Sequence, residues 1–227
     1  MIDSDARNYG TGFSTFDDLF GPMESGSLYM IAGRTVLNRH LIDRAAVLAA
    51  HGGGTVYYID GGHRADPFSM ARILRMHRED PRPVLERVMI ARAFTAYQMD
   101  SLIRDSLHRL GSVPDLLIVS SMDSLFSDPE VDLEAARAMV RNCMKALRGI
   151  ADRGACVLLS VSGGSRESEL LPHMSPYCSN WASLTPRLGS RVRIVTRGGE
   201  WRDFSPLHPF QTMIEDFGSP PGAEEAA

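Results

Sequence analysis

Leu28-Tyr29-Met30-Ile31-Ala32-Gly33-Arg34-Thr35-Val36-Leu37-Asn38-Arg39-His40, continuing into Leu41 to Ala50, is the stretch from which the rest of the chain is read. Leu28 to Ala32 is a short continuous apolar run, the form taken by a strand buried on both faces. Residues 41–50 are predicted to be a helix. A strand, a glycine turn and a helix are the setting of a phosphate-binding loop of pattern G-x-x-x-x-G-K-[ST]. Aligned on Gly33, the second glycine becomes Asn38, the lysine becomes Arg39 and the hydroxyl residue becomes His40. The scaffold of a nucleotide site is in place while the residues that do its chemistry are replaced.

Outward from this stretch, strands and helices alternate. Thr55 to Asp60, Val88 to Arg92, Asp115 to Ser120 and Ala155 to Ser160 read as short apolar strands, the last two as central ones. Between them, helices are predicted after Asp66-Pro67, over Ala96 to Leu110 and over Leu133 to Ala151. The last repeats Leu133, Ala136, Val140, Met144, Leu147 and Ile150 on one face. Arg191 to Thr196 and Glu200 to Phe204 flank Arg197-Gly198-Gly199, which reads as a hairpin turn. Such alternation points to an α/β fold with a mainly parallel central sheet flanked by helices and a C-terminal β-hairpin. One domain over residues 9–217 is expected, with a flexible N-terminus at 1–8 and a disordered tail at 218–227.

With 227 residues, the chain is long enough for one such domain with a real core. Its net charge of −4 argues against a dominant nucleic-acid surface. No apolar run is long enough to span a bilayer and no signal peptide is read, so a cytoplasmic protein is expected. Cys143, Cys156 and Cys178 lack metal-ligand spacing, and Cys143 and Cys156, in apolar surroundings, read as buried thiols. Lys145 is the only lysine, so no lysine nearby in sequence stands in for the one missing at Arg39.

An ordered set of segments from about residue 9 to 199 resembles the core ATPase domain of the RecA/RadA recombinase superfamily. Thr11-Gly12-Phe13-Ser14-Thr15-Phe16-Asp17-Asp18-Leu19-Phe20-Gly21 is similar to its lead-in T-G-x-x-x-L-D-x-L-L-G, and Glu24-Ser25-Gly26-Ser27-Leu28 to the E-x-G-x-I that follows. Tyr57-Tyr58-Ile59-Asp60 resembles its Y-I-D, Val88 to Phe94 its V-x-V-A-R-A-F, and Leu116-Leu117-Ile118-Val119 its Walker B strand. The resemblance implies a RecA-like P-loop NTPase fold and a place in DNA recombination or repair.

The same resemblance marks the departures. Ser120 stands where the family has the aspartate that helps hold Mg²⁺, and His40 where it has the metal-bound threonine. Gly62 stands where a glutamate polarises the attacking water. Arg39 keeps the lysine's charge, but its planar fork is not equivalent to an ammonium. Gly33, Arg34, Asn38, Arg39, His40, Asp60 and Ser120 thus read as a vestigial nucleotide site with no catalytic residue and no metal ligand set, one that can hold ATP without hydrolysing it. Asp60 and Asp123, at strand ends, remain as acids for a non-standard metal site or as structural carboxylates.

The family's DNA-facing loops correspond to 126–132, which is acidic, and to 162–180, which holds Arg166, His173 and Tyr177, with Trp181 just beyond. The basic concentration lies instead at Arg187, Arg191, Arg193 and Arg197, a contact for nucleic acid or a partner; on a strand Arg191, Arg193 and Arg197 would share a face. The expected function is that of a pseudo-ATPase acting by binding. It is an accessory or regulatory factor that pairs with a recombinase, a repair factor or itself, with weak DNA binding at most and no membrane. The alternatives are a divergent ATPase of the superfamily and a KaiC-like regulatory module without a DNA role.

Overall fold

The computed structural model describes residues 8–163, 169–188 and 191–204. The expectations for the N-terminus, for Arg166 and for the tail at 218–227 lie outside the described residues, apart from Asn8. Ten strands are described: β1 Asn8–Tyr9, β2 Met23–Glu24, β3 Leu28–Ala32, β4 Val56–Asp60, β5 Val88–Arg92, β6 Leu116–Ser120, β7 Cys156–Val161, β8 Asn180–Pro186, β9 Val192–Thr196 and β10 Trp201–Phe204. The helices are α1 Ser14–Phe20, α2 Val36–His51, α3 Pro67–Met76, α4 Pro81–Leu85, α5 Ala96–Leu110, α6 Met122–Phe126, α7 Leu133–Ala151 and α8 Leu171–Met174.

An eight-stranded sheet runs in the order β10-β9-β8-β3-β7-β6-β4-β5. Strands β3, β7, β6 and β4 lie side by side in its centre and are parallel, with β5 and β8 parallel on either flank. β9 and β10 extend it as an antiparallel hairpin. This is the α/β architecture read from the alternation of elements.

Period-two geometry divides each central strand between two cores. Tyr29, Ile31, Val56, Tyr58, Leu116, Ile118 and Leu158 pack with α1, α2 and α3 on one face. Leu28, Met30, Ile59, Leu117, Val119, Val157 and Leu159 pack with α5, α6 and α7 on the other. Burial on both faces is why these strands read as unbroken apolar runs. The amphipathic stripe expected on α7 is buried: Ala136, Val140, Met144 and Leu147 are fully inaccessible. The lead-in Thr11-Gly12 is gathered by one carboxylate, since Asp17 accepts from the Thr11 amide and hydroxyl and from the Gly12 amide. Arg44 of α2 locks it from the other side by donating to the Thr11 and Gly12 carbonyls.

Two elements depart from the sequence expectation. β8 begins at the last residue of the loop read over 162–180 and runs on through residues given no strand from sequence, and it is the strand that joins the hairpin to the parallel sheet. Helix α2 begins at Val36 and not at Leu41. Among the described residues no helix is long and apolar enough to cross a membrane.

Candidate functional site

Parallel α/β sheets build their ligand sites at the carboxyl ends of the strands. Here that edge carries Gly33 after β3, Asp60 on β4, Ser120 on β6 and Ser160 on β7, with Asp60 opposite Ser120 and Ser120 opposite Ser160 in register.

The connection from β3 to α2 is only Gly33-Arg34-Thr35. Thr35 takes an extended conformation and its hydroxyl accepts from the Asn38 amide, capping the helix. The chain from Val36 to Asn38 is therefore already helical, where the phosphate-loop pattern needs open backbone amides. Asn38 completes the closure. Its buried side-chain amide donates to the Gly33 carbonyl at 2.9 Å and lies within 3.3 Å of the Val161 carbonyl and 3.4 Å of the Ile31 carbonyl. Its side-chain oxygen accepts from the Ser160 hydroxyl at 3.0 Å. The polar groups lining this turn are thus satisfied within the protein.

Arg39 is turned away from the turn. Its guanidinium donates to Asp66 on the N-cap of α3 at 2.8 Å and lies 3.7 Å from the Asp43 carboxylate, one helical turn on. Asp43 is fully buried and neither of its oxygens has a hydrogen-bond partner. Burial pushes its carboxyl up to about 7, against the pull of Arg39. His40 is held below the usual imidazole range by burial and by Arg39, Arg72 and Arg44, which keeps it neutral at pH 7. Arg39, His40 and Asp66, with Val36, Phe68, Ser69 and Arg72, line a cleft of 360 Å³ between α2 and α3. Arg34 is exposed at the turn itself.

The strand-end acids are spoken for. Asp60 is fully buried and accepts from the Gly62, Arg64 and Ala65 amides and from the Ser120 hydroxyl, with Arg92 at 3.8 Å. Asp123, also buried, accepts from the Ser162 and Gly163 amides and so ties the exit of β7 to α6. Both carboxylates are hydrogen-bonded to backbone amides of strand-exit loops, after β4 for Asp60 and after β7 for Asp123. A Cβ on Gly62 would stand 2.4 Å from the Ser121 hydroxyl oxygen, so any longer side chain at that position needs Ser121 to move. Among the described residues there is no group of three or more His, Cys, Asp or Glu side chains able to hold a metal ion.

The predicted arginine patch divides. Arg193 on β9 forms a two-pronged ion pair with Asp203, directly opposite on β10, and lies 4.2 Å over the ring of Trp201. Arg187 and Arg191 also act on Asp203 and, with Arg193, hold its carboxyl below the usual range; the Arg193 hydrogen bonds are the largest cause. Arg197 does not join them, contrary to the single face expected from the strand period. It lies in the turn after β9 and donates to the Cys178 and Ser179 carbonyls, because β9 ends at Thr196 and the alternation ends with it. Tyr177 and Trp181 are partly buried against the second core.

Thr35, Asp43, Phe68 and Trp201 belong to these sites and were not singled out from sequence. Thr35 had a legible signal, a hydroxyl residue at the start of a helical pattern. Asp43 had none, since nothing in the sequence marks it as facing inward. Replacing Asn38 with leucine should cost about 2 kcal/mol, because the Gly33 carbonyl and the Ser160 hydroxyl lose their partner while buried. Chemical denaturation checks this, and an unchanged midpoint would show the Asn38 network to be idle.

No curated protein matches the chain. Residues 7–162 match the Rad51 family, a span that runs from the lead-in through the closed turn to the exit of β7. The chain belongs to the Rad51 family and is a RecA-like protein of the recombination and repair class.

Proposed function

We propose that this chain is a non-catalytic member of its family that acts by binding, as an accessory or regulatory factor in DNA recombination or repair. Its partner is a protein, either a recombinase or repair factor or a second copy of the chain. The observation that carries this reading is the Asn38 side chain. It fills the turn after β3 and consumes the carbonyl and hydroxyl groups there, while α2 has taken up the residues of the loop. Phosphoryl transfer depends on positioned donors around the phosphates, a held metal and an oriented water. The residues present do not match that requirement: Arg39 is paired to Asp66, Asp60 accepts from three backbone amides and the Ser120 hydroxyl, and Gly62 abuts Ser121. Losing such groups costs roughly 10²–10³ in rate each. Any ATP affinity then rests on Arg34 and the N-terminus of α2 and leads to no turnover. DNA affinity is weak and salt-dependent, in keeping with a net charge of −4.

Purified protein is expected to show no Mg²⁺-dependent ATP hydrolysis above background, with a labelled ATP analogue titrated alongside to report binding separately. Turnover that co-purifies with the protein and disappears in Arg39→Ala would overturn the proposal.

A further inference from the structure

The sheet face formed by β8, β9 and β10 carries an unbalanced charge beside an exposed aromatic ring. Arg193 and Asp203 pair across β9 and β10, and Trp201, two residues from Asp203 on the same face, is 56% exposed with Arg193 over its ring. Arg187 and Arg191 extend this face past the ends of β8 and β9, where the Arg187 amide donates to the Arg191 carbonyl at 2.7 Å, and both also lower the Asp203 carboxyl. Exposed Arg187 and Arg191 show no carboxylate of their own among the described ion pairs. β10 is the last strand of the sheet among the described residues and is exposed over Trp201 to Asp203.

We infer that this face of β8–β10 is a docking surface for an acidic, extended segment of a partner protein, whose carboxylates pair with Arg187 and Arg191 and whose apolar side chain packs on Trp201. Charge complementarity argues for that occupant. The Arg193–Asp203 pair shows how the face receives a carboxylate, by a planar two-pronged fork beside an indole ring. A polyphosphate strand suits it less. Asp203 stands in the middle of the patch, Glu200 stands exposed in the adjoining turn, and phosphate affinity comes from cations that outnumber such acids along the whole path. Arginine and tryptophan beside each other are also the residues that anchor protein interfaces. The inference rests on the reading that the chain acts by binding, and it fails or stands apart from the nucleotide question.

The test is fluorescence anisotropy with the full chain and a labelled peptide of alternating glutamate and phenylalanine. A lysine–phenylalanine peptide and labelled oligo-dT serve as comparators. The glutamate peptide should bind best and weaken as salt rises. Arg187→Ala and Arg191→Ala together should weaken it at least tenfold, at about 1.4 kcal/mol per tenfold change. Trp201→Ala should weaken it about fivefold by removing the exposed ring. These side chains are exposed, and matched thermal unfolding of each variant confirms that the fold is kept. Equal binding of the lysine peptide, tighter binding of oligo-dT through the same arginines, or glutamate-peptide binding indifferent to all three substitutions would each overturn the inference. So would peptide binding that emerges only when the chain is shortened to end at Phe204, since the face would then be taken by the chain's own C-terminus. Hydrolysis of ATP by the protein would sink the non-catalytic reading and leave these results as they are.

Discussion

Gly33→Ala is expected to destabilise the fold by about 4 kcal/mol, the largest effect of any single methyl addition considered. Gly33 sits at φ +141, outside the region open to residues with a Cβ, and a Cβ there would stand 2.3 Å from the Leu184 carbonyl oxygen. That oxygen is backbone, on a strand paired to both β3 and β9, so it cannot swing aside as a side chain would. The substitution must therefore either strain the turn or separate β8 from β3. In a domain of this size each kcal/mol shifts the melting temperature by roughly 2–4 °C, so a fall of about 10 °C is expected in calorimetry. Gly111, the C-cap of α5, provides the contrast. It also has positive φ, at +67, but nothing lies within 4 Å of its added Cβ. Gly111→Ala should cost only about 1 kcal/mol, the price of the left-handed conformation alone. Equal effects at the two positions would show that the contact with Leu184 does not limit the turn.

Asp43→Asn is expected to stabilise the protein at pH 8 by on the order of 3 kcal/mol and to leave it nearly unchanged at pH 4. Burial raises the Asp43 carboxyl from its ordinary 3.8 to about 7. Between those values the folded chain keeps a proton that the unfolded chain has released. Stability therefore falls as pH rises from about 4 to about 7, and above 7 the folded chain carries a buried charge helped only by Arg39 at 3.7 Å. Each pH unit of separation corresponds to about 1.4 kcal/mol, an upper bound that relaxation around the site reduces. Asparagine matches the shape of the protonated acid and never charges. The difference between the unfolding curves of the parent and variant isolates this group, since other titrations cancel. An Asp43→Asn variant less stable than its parent at pH 8 would show that the Arg39–Asp43 ion pair outweighs the cost of burial.

The order of the central elements was legible because it depends on local pattern. β3, β4, β6 and β7 are buried on both faces, and burial on both faces writes an unbroken apolar run. α7 buries one stripe and α5 one face, and each writes a helical repeat. β8 was hidden because Asn180 to Pro186 mixes Trp181 and Leu184 with Ser183 and Thr185, and its place is set by pairing with β3 and β9 rather than by its own composition. The start of α2 was misplaced for a similar reason. Asn38 and Arg39 were read as loop replacements, while the Thr35 cap and the buried Asn38 side chain carry the helix through them.

The sequence by itself determined that this chain builds a RecA-like sheet and that Asn38, Arg39, His40, Gly62 and Ser120 stand at the positions compared with the phosphate loop, the metal aspartate and the water-polarising glutamate. Those are facts of identity at fixed positions, and covalent order is enough to state them. Only the tertiary structure decided what these residues touch, because that depends on distances between strands far apart in the chain. Asn38 meets Ser160 and Val161 across the β3–β7 pair, Asp60 meets Ser120 across β4–β6, Arg39 finds Asp66 on the next helix, and Arg197 leaves the arginine patch for the carbonyls of 178 and 179. Hydrogen bonds and ion pairs act over about 3–4 Å, and sequence spacing does not specify which groups folding brings within that range.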